Sequence, residues 1–152
     1  MRIWIDGDAC PRVIKDVLYR AAMRTQTPLI IVANQPLTVP ASIWIKKCQV
    51  GFGFDVVDHY IVEHLAAGDL VITADVPFAD AVITQGGLAL NPRGELYSTD
   101  NIKQHLAVRN MNESLRSFQM QSTGPACFSA KNVQDFANNL DRILAKYTKK
   151  GF

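Results

Sequence analysis

Apolar residues fall along this chain in two alternating patterns: unbroken runs of three to five, and longer stretches in which they recur at helical spacing. Ile3-Trp4-Ile5 is the first run, β-favouring by composition, and Asp6-Gly7-Asp8 breaks it with turn chemistry. Pro11 suits the first turn of a following helix. Arg12 to Arg24 then places Val13, Ile14, Val17, Leu18, Ala21 and Ala22 on one side and Lys15, Asp16 and Arg20 on the other. Thr27-Pro28 stops that helix, and Leu29 to Ala33 is an aliphatic run of the kind buried on both faces of a sheet. Strand, helix and strand make one parallel unit.

The alternation continues. After the Pro36–Pro40 loop, Ile43 to Val50 predicts a third strand, interrupted by Lys46, Lys47 and Cys48. Asp55 or Asp58 is placed to cap a helix carrying Ile61, Val62, Leu65 and Ala66, which Gly68 ends before Asp69 opens the next strand. Leu70 to Ala74 is that fourth strand. It ends on Asp75, and Pro77 lies near the start of a helix running to about Gln85. Leu88-Ala89-Leu90 is a fifth short strand, leading into the turn Asn91-Pro92-Arg93-Gly94.

From Thr99, the residues Ile102, Leu106, Arg109, Met111 and Leu115 predict one long helical segment, and Gln121 to Ser129 a polar loop. Asp135 to Lys146, with Phe136, Leu140, Ile143 and Leu144, is a last amphipathic helix. No linker or low-complexity tract divides residues 1–152, so they read as one domain. The predicted fold is α/β, a three-layer sandwich with a mainly parallel sheet of about five strands plus C-terminal helices.

Composition narrows the function classes without choosing one. Sixteen Lys and Arg against fourteen Asp and Glu give a net charge of +2, too small an imbalance to argue nucleic acid or anionic membrane from charge alone. The chain opens directly on a strand, and no apolar run approaches the roughly eighteen residues of a membrane span, so a cytoplasmic protein is expected. Cys10, Cys48 and Cys127 are widely spaced with no CxxC pair, which supports neither a disulfide framework nor a zinc site.

The carboxylates carry the chemistry. Ligands of open parallel sheets bind outside the carboxyl ends of the strands, where Asp6, Asp8 and Asp75 all fall, and Asp58 starts a helix feeding the same sheet. Such acids in one crevice repel unless a cation joins them, and oxygen ligands suit Mg²⁺ or Mn²⁺. A divalent ion bridging to phosphate follows. Each acid also has a structural explanation as a turn former or helix cap, and for Asp58 or Asp80 alone that explanation is the better one. Cys10, with no His nearby in sequence, reads as a small buried hydrophobe, and His59, His64 and His105 form no ligand motif. Among the scattered basic residues Lys46, Lys47, Arg93, Arg109 and Arg116, it is Arg93 whose turn follows a strand and aims it at the same sheet end.

Several motifs, in order, resemble the bacterial YaiI/YqxD family: Ile3 to Pro11, Gly53 to Asp58, Gly68 to Pro77, and Ala89 to Gly94, continued by Arg109-Asn110-Met111, Leu115-Arg116 and Gly124-Pro125. The likeness runs through nearly the whole chain. Gly7 stands where the family usually has Ala, and Ser122-Thr123 precede Gly124 where a second Gly is common. The family is functionally uncharacterised, and its fold is similar to the PIN and NYN nucleases, whose strand-end acids bind a divalent ion and cut RNA. That resemblance assigns Asp6 or Asp8 to the first acid, Asp58 to the middle acid and Asp75 to the strand-end acid. With the shared strand-end position, the expected site has catalytic Asp6, Asp8 and Asp75, Mg²⁺ or Mn²⁺ held by Asp6, Asp8, Asp58 and Asp75, and substrate binding by Thr73, Asn91 and Arg93. RNA is the implied partner, no membrane is involved, and a homodimer stays open.

Two other readings compete. A non-catalytic RNA-binding module keeps the fold and the acids without turnover. Asp6-Gly7-Asp8 also resembles the DxD of aspartyl-phosphate phosphatases, with Asp6 as nucleophile, Asp8 as general acid, and Asp75 and Asp80 as the later acidic pair. Cys10 stands where those enzymes usually have Thr or Val, and the Lys they need is not obvious.

Overall fold

Successive side chains of a strand point to opposite faces, and in the first strand that alternation already divides the molecule in two. The computed structural model describes residues 1–102 apart from 9, 37, 54, 55 and 100, together with residues 130–148. Strand β1 (Ile3–Asp6) sends Ile3 and Ile5 into one hydrophobic cluster and Trp4 into another. After it come α1 (Arg12–Thr25), β2 (Leu29–Ala33), β3 (Ile45–Gln49), α2 (Val56–His64) and β4 (Leu70–Ile72). The remaining described elements are α3 (Val76–Thr84), β5 (Leu88–Leu90), β6 (Leu96–Tyr97) and α4 (Ala130–Thr148).

The strand order is β3-β2-β1-β4-β5-β6, parallel except for the antiparallel β5–β6 pair. The chain therefore leaves β1 in one direction for β2 and β3 and returns to its other side for β4 and β5. β1 and β4 flank the point where the order reverses. On one face, Ile14, Leu18 and Ala22 of α1 and Phe136, Leu140 and Leu144 of α4 cover Ile3, Ile5, Ile31, Ile72 and Leu90. On the other, Val57 and Ile61 of α2 and Phe78, Ala79 and Val82 of α3 cover Trp4, Val32, Val71 and Ala89. This is the expected three-layer α/β sandwich.

The differences from the sequence pattern are local. The sheet has a sixth strand, because Leu96 and Tyr97 turn back from Asn91–Gly94 to pair with Leu90 and Ala89. β3 begins only at Ile45, with Ile43 82% exposed. Lys46 and Lys47 are exposed, as suits a strand that among the described residues lies at the sheet edge and pairs with β2. Val13, expected on the apolar side of α1, is 41% exposed. Pro11 occupies the N-cap of α1, and α2 ends at His64, ahead of Gly68. α4 extends the predicted Asp135–Lys146 helix at both ends. Most of the helical segment expected from Thr99 (Leu106, Arg109, Met111 and Leu115), the loop Gln121–Ser129, and Asp55, His105, Arg116 and Cys127 lie outside the described residues. Among the described residues no helix is long and apolar enough to cross a membrane.

Beside its apolar face, polar and backbone contacts also hold α4. Its Asp141 pairs with Arg24 of α1. Gly94, in the β5–β6 turn with φ +102°, approaches so closely that a Cβ there would lie 2.9 Å from the Asp135 carbonyl carbon and 3.0 Å from the Phe136 nitrogen. Only a glycine in that turn lets the helix dock.

Candidate functional site

Ile5, Ile72 and Leu90 pair across β1, β4 and β5, so the next residue of each strand end, Asp6, Thr73 and Asn91, stands in one row. By alternation the row belongs to the face of Trp4, Val71 and Ala89, the side covered by α2 and α3. All three side chains close the same kind of turn. The Asp6 carboxylate accepts from the Asp8 amide at 3.0 Å, the Thr73 hydroxyl from the Asp75 amide at 2.9 Å, and the Asn91 side-chain oxygen from the Arg93 amide at 2.8 Å. Polar residues at the point where a strand must end, each able to bond two residues ahead, give these turns locally.

Asp75 is the N-cap of α3. Its carboxylate accepts from the Phe78 amide at 3.3 Å, so the capping role is realised, and it leaves the side chain exposed at the mouth of the sheet. Asp58 lies in the first turn of α2. Asp58 and Asp75, with His59, Val62, Pro77, Phe78 and Ala81, line a cleft of about 190 Å³ between α2 and α3. Asp75, three residues beyond the end of β4, is the cleft's link to the sheet. Asp8 is placed differently: it does not cap α1, which has no side-chain cap, and its carboxylate accepts from the Asn34 amide at 2.9 Å beyond β2.

Arg93 is directed away from this cleft. Its guanidinium donates to the Asn132 side-chain oxygen at 3.2 Å and lines a separate polar cavity beside α4. Of the sequence-derived site residues, the fold thus gathers Asp6, Thr73 and Asn91 in a row and Asp58 with Asp75 in a cleft. Asp8 stands to one side, and Arg93 in a neighbouring pocket. Among the described residues no three His, Cys, Asp or Glu side chains form a group able to hold a metal ion.

The sequence model of the uncharacterised YaiI/YqxD family matches residues 4–146. The chain belongs to this family. A UPF0178 protein of Hahella chejuensis is 55% identical over 149 residues, covering 98% of this chain and 99% of its own. Similar proteins from Aromatoleum aromaticum and Legionella pneumophila are 57% and 56% identical, each over 146 residues and 96% of this chain, and over 97% and 99% of theirs. No solved structure matches.

In this YaiI/YqxD protein three contributors to the site region were not legible in the sequence. Lys15, read as an outward residue of α1, reaches back to donate to the Gly7 carbonyl at 2.6 Å and so brings a positive charge to the backbone of the Asp6-Gly7-Asp8 turn. Asn34 holds Asp8 through its backbone, which no side-chain pattern reveals. Tyr97 bonds Asn91 at 2.8 Å, a contact that exists only because of the unforeseen β6. Burial pushes the Tyr97 phenol above its ordinary value, against the bond from Asn91, which lowers it.

Cys10 has the bland role expected of it. Burial pushes its thiol up to about 12; the nearby Lys15 charge lowers it and Asp6 raises it. A thiol in that state is not a nucleophile at neutral pH.

Proposed function

We propose that this protein is a divalent-cation-dependent phosphodiesterase acting on RNA, with Asp58 and Asp75 holding Mg²⁺ or Mn²⁺ and Asp6 and Asp8 completing the acidic rim. The observation that carries this reading is the cleft that Asp58 and Asp75 share, with Asp75 tied by its amide to Thr73 of the strand-end row. The donor chemistry fits. Mg²⁺ commonly keeps several waters and takes only one or two carboxylates plus substrate phosphates, so a three-carboxylate cage is not required. When bound, such an ion neutralises phosphate oxygens and orients and acidifies a water.

The chain's own residues do the positioning. Thr73 fixes the backbone of Asp75, the Phe78 amide fixes its carboxylate, and Tyr97 sets the side-chain amide of Asn91 for hydrogen bonding along the row. Asp75→Asn is the informative substitution, because Asn caps a helix as well as Asp does and stability should hold within about 0.5 kcal/mol. Calorimetry should then show Mn²⁺ affinity reduced by about tenfold or more, and cleavage of single-stranded RNA with Mn²⁺ should fall with it. Unchanged Mn²⁺ affinity in both Asp58→Asn and Asp75→Asn would sink the assignment.

A non-catalytic RNA-binding module is the second reading. It is favoured by the lack, among the described residues, of a ready three-acid group. RNA bound but left intact in the presence of Mn²⁺ decides for it.

A further inference from the structure

Helix α4 carries a second polar feature besides its apolar face. Asp135, Asn138, Asn139 and Arg142 follow one another at spacings of three, one and three, so they form a single stripe along the helix. That stripe faces the Arg93-Gly94 turn, and together the six residues line a polar cavity of about 270 Å³. The cavity is pinned on both sides. Asn139 donates to the Gly94 carbonyl, Arg93 donates to Asn132, and Gly94 abuts the helix backbone. Asn138 accepts from Gln134 at 2.8 Å, so its own amide hydrogens remain to donate.

Among the described residues that line the cavity are two guanidinium groups, of Arg93 and Arg142, and one carboxylate, of Asp135. Its volume lies just under the usual range of about 300–1,000 Å³ for small-molecule pockets, ample for a phosphate group with its sugar neighbours. Guanidinium forks match phosphate oxygens two at a time. The turn that supplies Arg93 is also tied, through its own amide, to Asn91 of the site row. The geometry points to a phosphate subsite formed by Arg93 and Arg142, which takes a backbone phosphate of the RNA whose scissile bond lies at the acidic cleft. This assignment rests on the ribonuclease reading for its ligand, but not on any metal ion.

The test is fluorescence anisotropy with a short fluorescein-labelled oligouridylate in EDTA, with salt varied between about 50 and 200 mM. Because EDTA removes divalent ions, the outcome is independent of the acidic cleft. Each phosphate contact on a single strand contributes about 0.7 to the slope of log affinity against log salt. Arg142→Gln should therefore flatten the slope by about 0.7 and weaken binding about fivefold near 0.1 M salt. Arg142 is exposed, so a circular dichroism spectrum and urea midpoint like the wild type's are expected. Equal slope and affinity in wild type and Arg142→Gln overturn the subsite and leave the ribonuclease reading intact.

Absence of RNA binding by the wild type in EDTA overturns the RNA assignment of this subsite, while the ribonuclease reading stands or falls on the cleavage assay with Mn²⁺. Inorganic phosphate then distinguishes the source. If it shifts the Gly94 and Asn139 amide resonances in the wild type and not in Arg142→Gln, the subsite stands as one for free phosphate. If it shifts neither, the subsite falls as well.

Discussion

Asp69→Ala should destabilise the protein by about 2–4 kcal/mol. Asp69 lies at the opposite, amino-terminal edge of the sheet from the candidate site and is only 4% exposed. Its carboxylate accepts from the Arg2 amide at 3.1 Å, the Trp4 indole nitrogen at 3.1 Å and the Ala66 amide at 3.0 Å, and pairs with the Arg2 guanidinium at 3.2 Å. The ion pair itself contributes little. The Arg2 side chain is 41% exposed, and such pairs are worth at most about 1 kcal/mol. The backbone and indole donors decide the magnitude, since a buried donor left without an acceptor costs about 1–3 kcal/mol. Only the Trp4 bond is fully buried and water can reach the other two, which holds the sum to the lower end of three such penalties. Asp69→Asn keeps one acceptor oxygen but sets its amide group against a donor, so about 1–2 kcal/mol is expected. Arg2→Ala should cost less than about 1.5 kcal/mol, from the exposed pair and the guanidinium stacked over Trp4 at 5.1 Å. Urea unfolding followed by tryptophan fluorescence and circular dichroism reads this order. With a slope near 2 kcal/mol per molar urea, a 3 kcal/mol loss lowers the midpoint by about 1.5 M. A loss below about 1 kcal/mol for Asp69→Ala, or an equal loss for Arg2→Ala, refutes the reasoning.

Cys10 should resist iodoacetamide at pH 8 in the folded protein and react once urea is added, as read by peptide mass spectrometry. A rise from 9.0 to about 12 lowers the thiolate fraction about a thousandfold. The folded value lies above the unfolded one, so the associated stability is complete below about pH 9 and is lost as pH climbs towards 12, a slope that Cys10→Ala should abolish. Gly94→Ala should cost about 2 kcal/mol or more, because the Cβ meets the α4 backbone and the φ of +102° is unfavourable for alanine. Hydrogen exchange should then quicken at Phe136 and Leu140, and an unchanged urea midpoint would count against the docking role of the turn.

The central strands were legible because each is an unbroken aliphatic run, and a strand covered by helices on both faces has no other pattern open to it. Ile3 to Ile5, Leu29 to Ala33 and Leu88 to Leu90 therefore appear where the sequence puts them. β3 was blurred because among the described strands it lies at the edge of the sheet, with its lysines exposed inside a strand. β6 was missed because its two residues carry no periodicity, and its existence depends on the turn before it. At the site, the strand-end acids were readable from their position after apolar runs. What they bond was not, since Asn34 acts through its backbone and Tyr97 through tertiary placement. Asp69 passed for the residue that opens β4, because the indole it accepts from lies 65 positions away in sequence.

The three matching turns at the ends of β1, β4 and β5 also divide labour across the molecule. In loops that cradle phosphate, backbone amides point outward at the anion. Here the amides of Asp8, Asp75 and Arg93 are folded inward onto Asp6, Thr73 and Asn91. Those three amides are thereby withdrawn from anion binding, and the side-chain oxygens that hold them favour cations and hydroxyl groups. An anionic ligand that reaches the mouth of the sheet must be gripped through a bound cation or by side-chain charge set back from the strand ends.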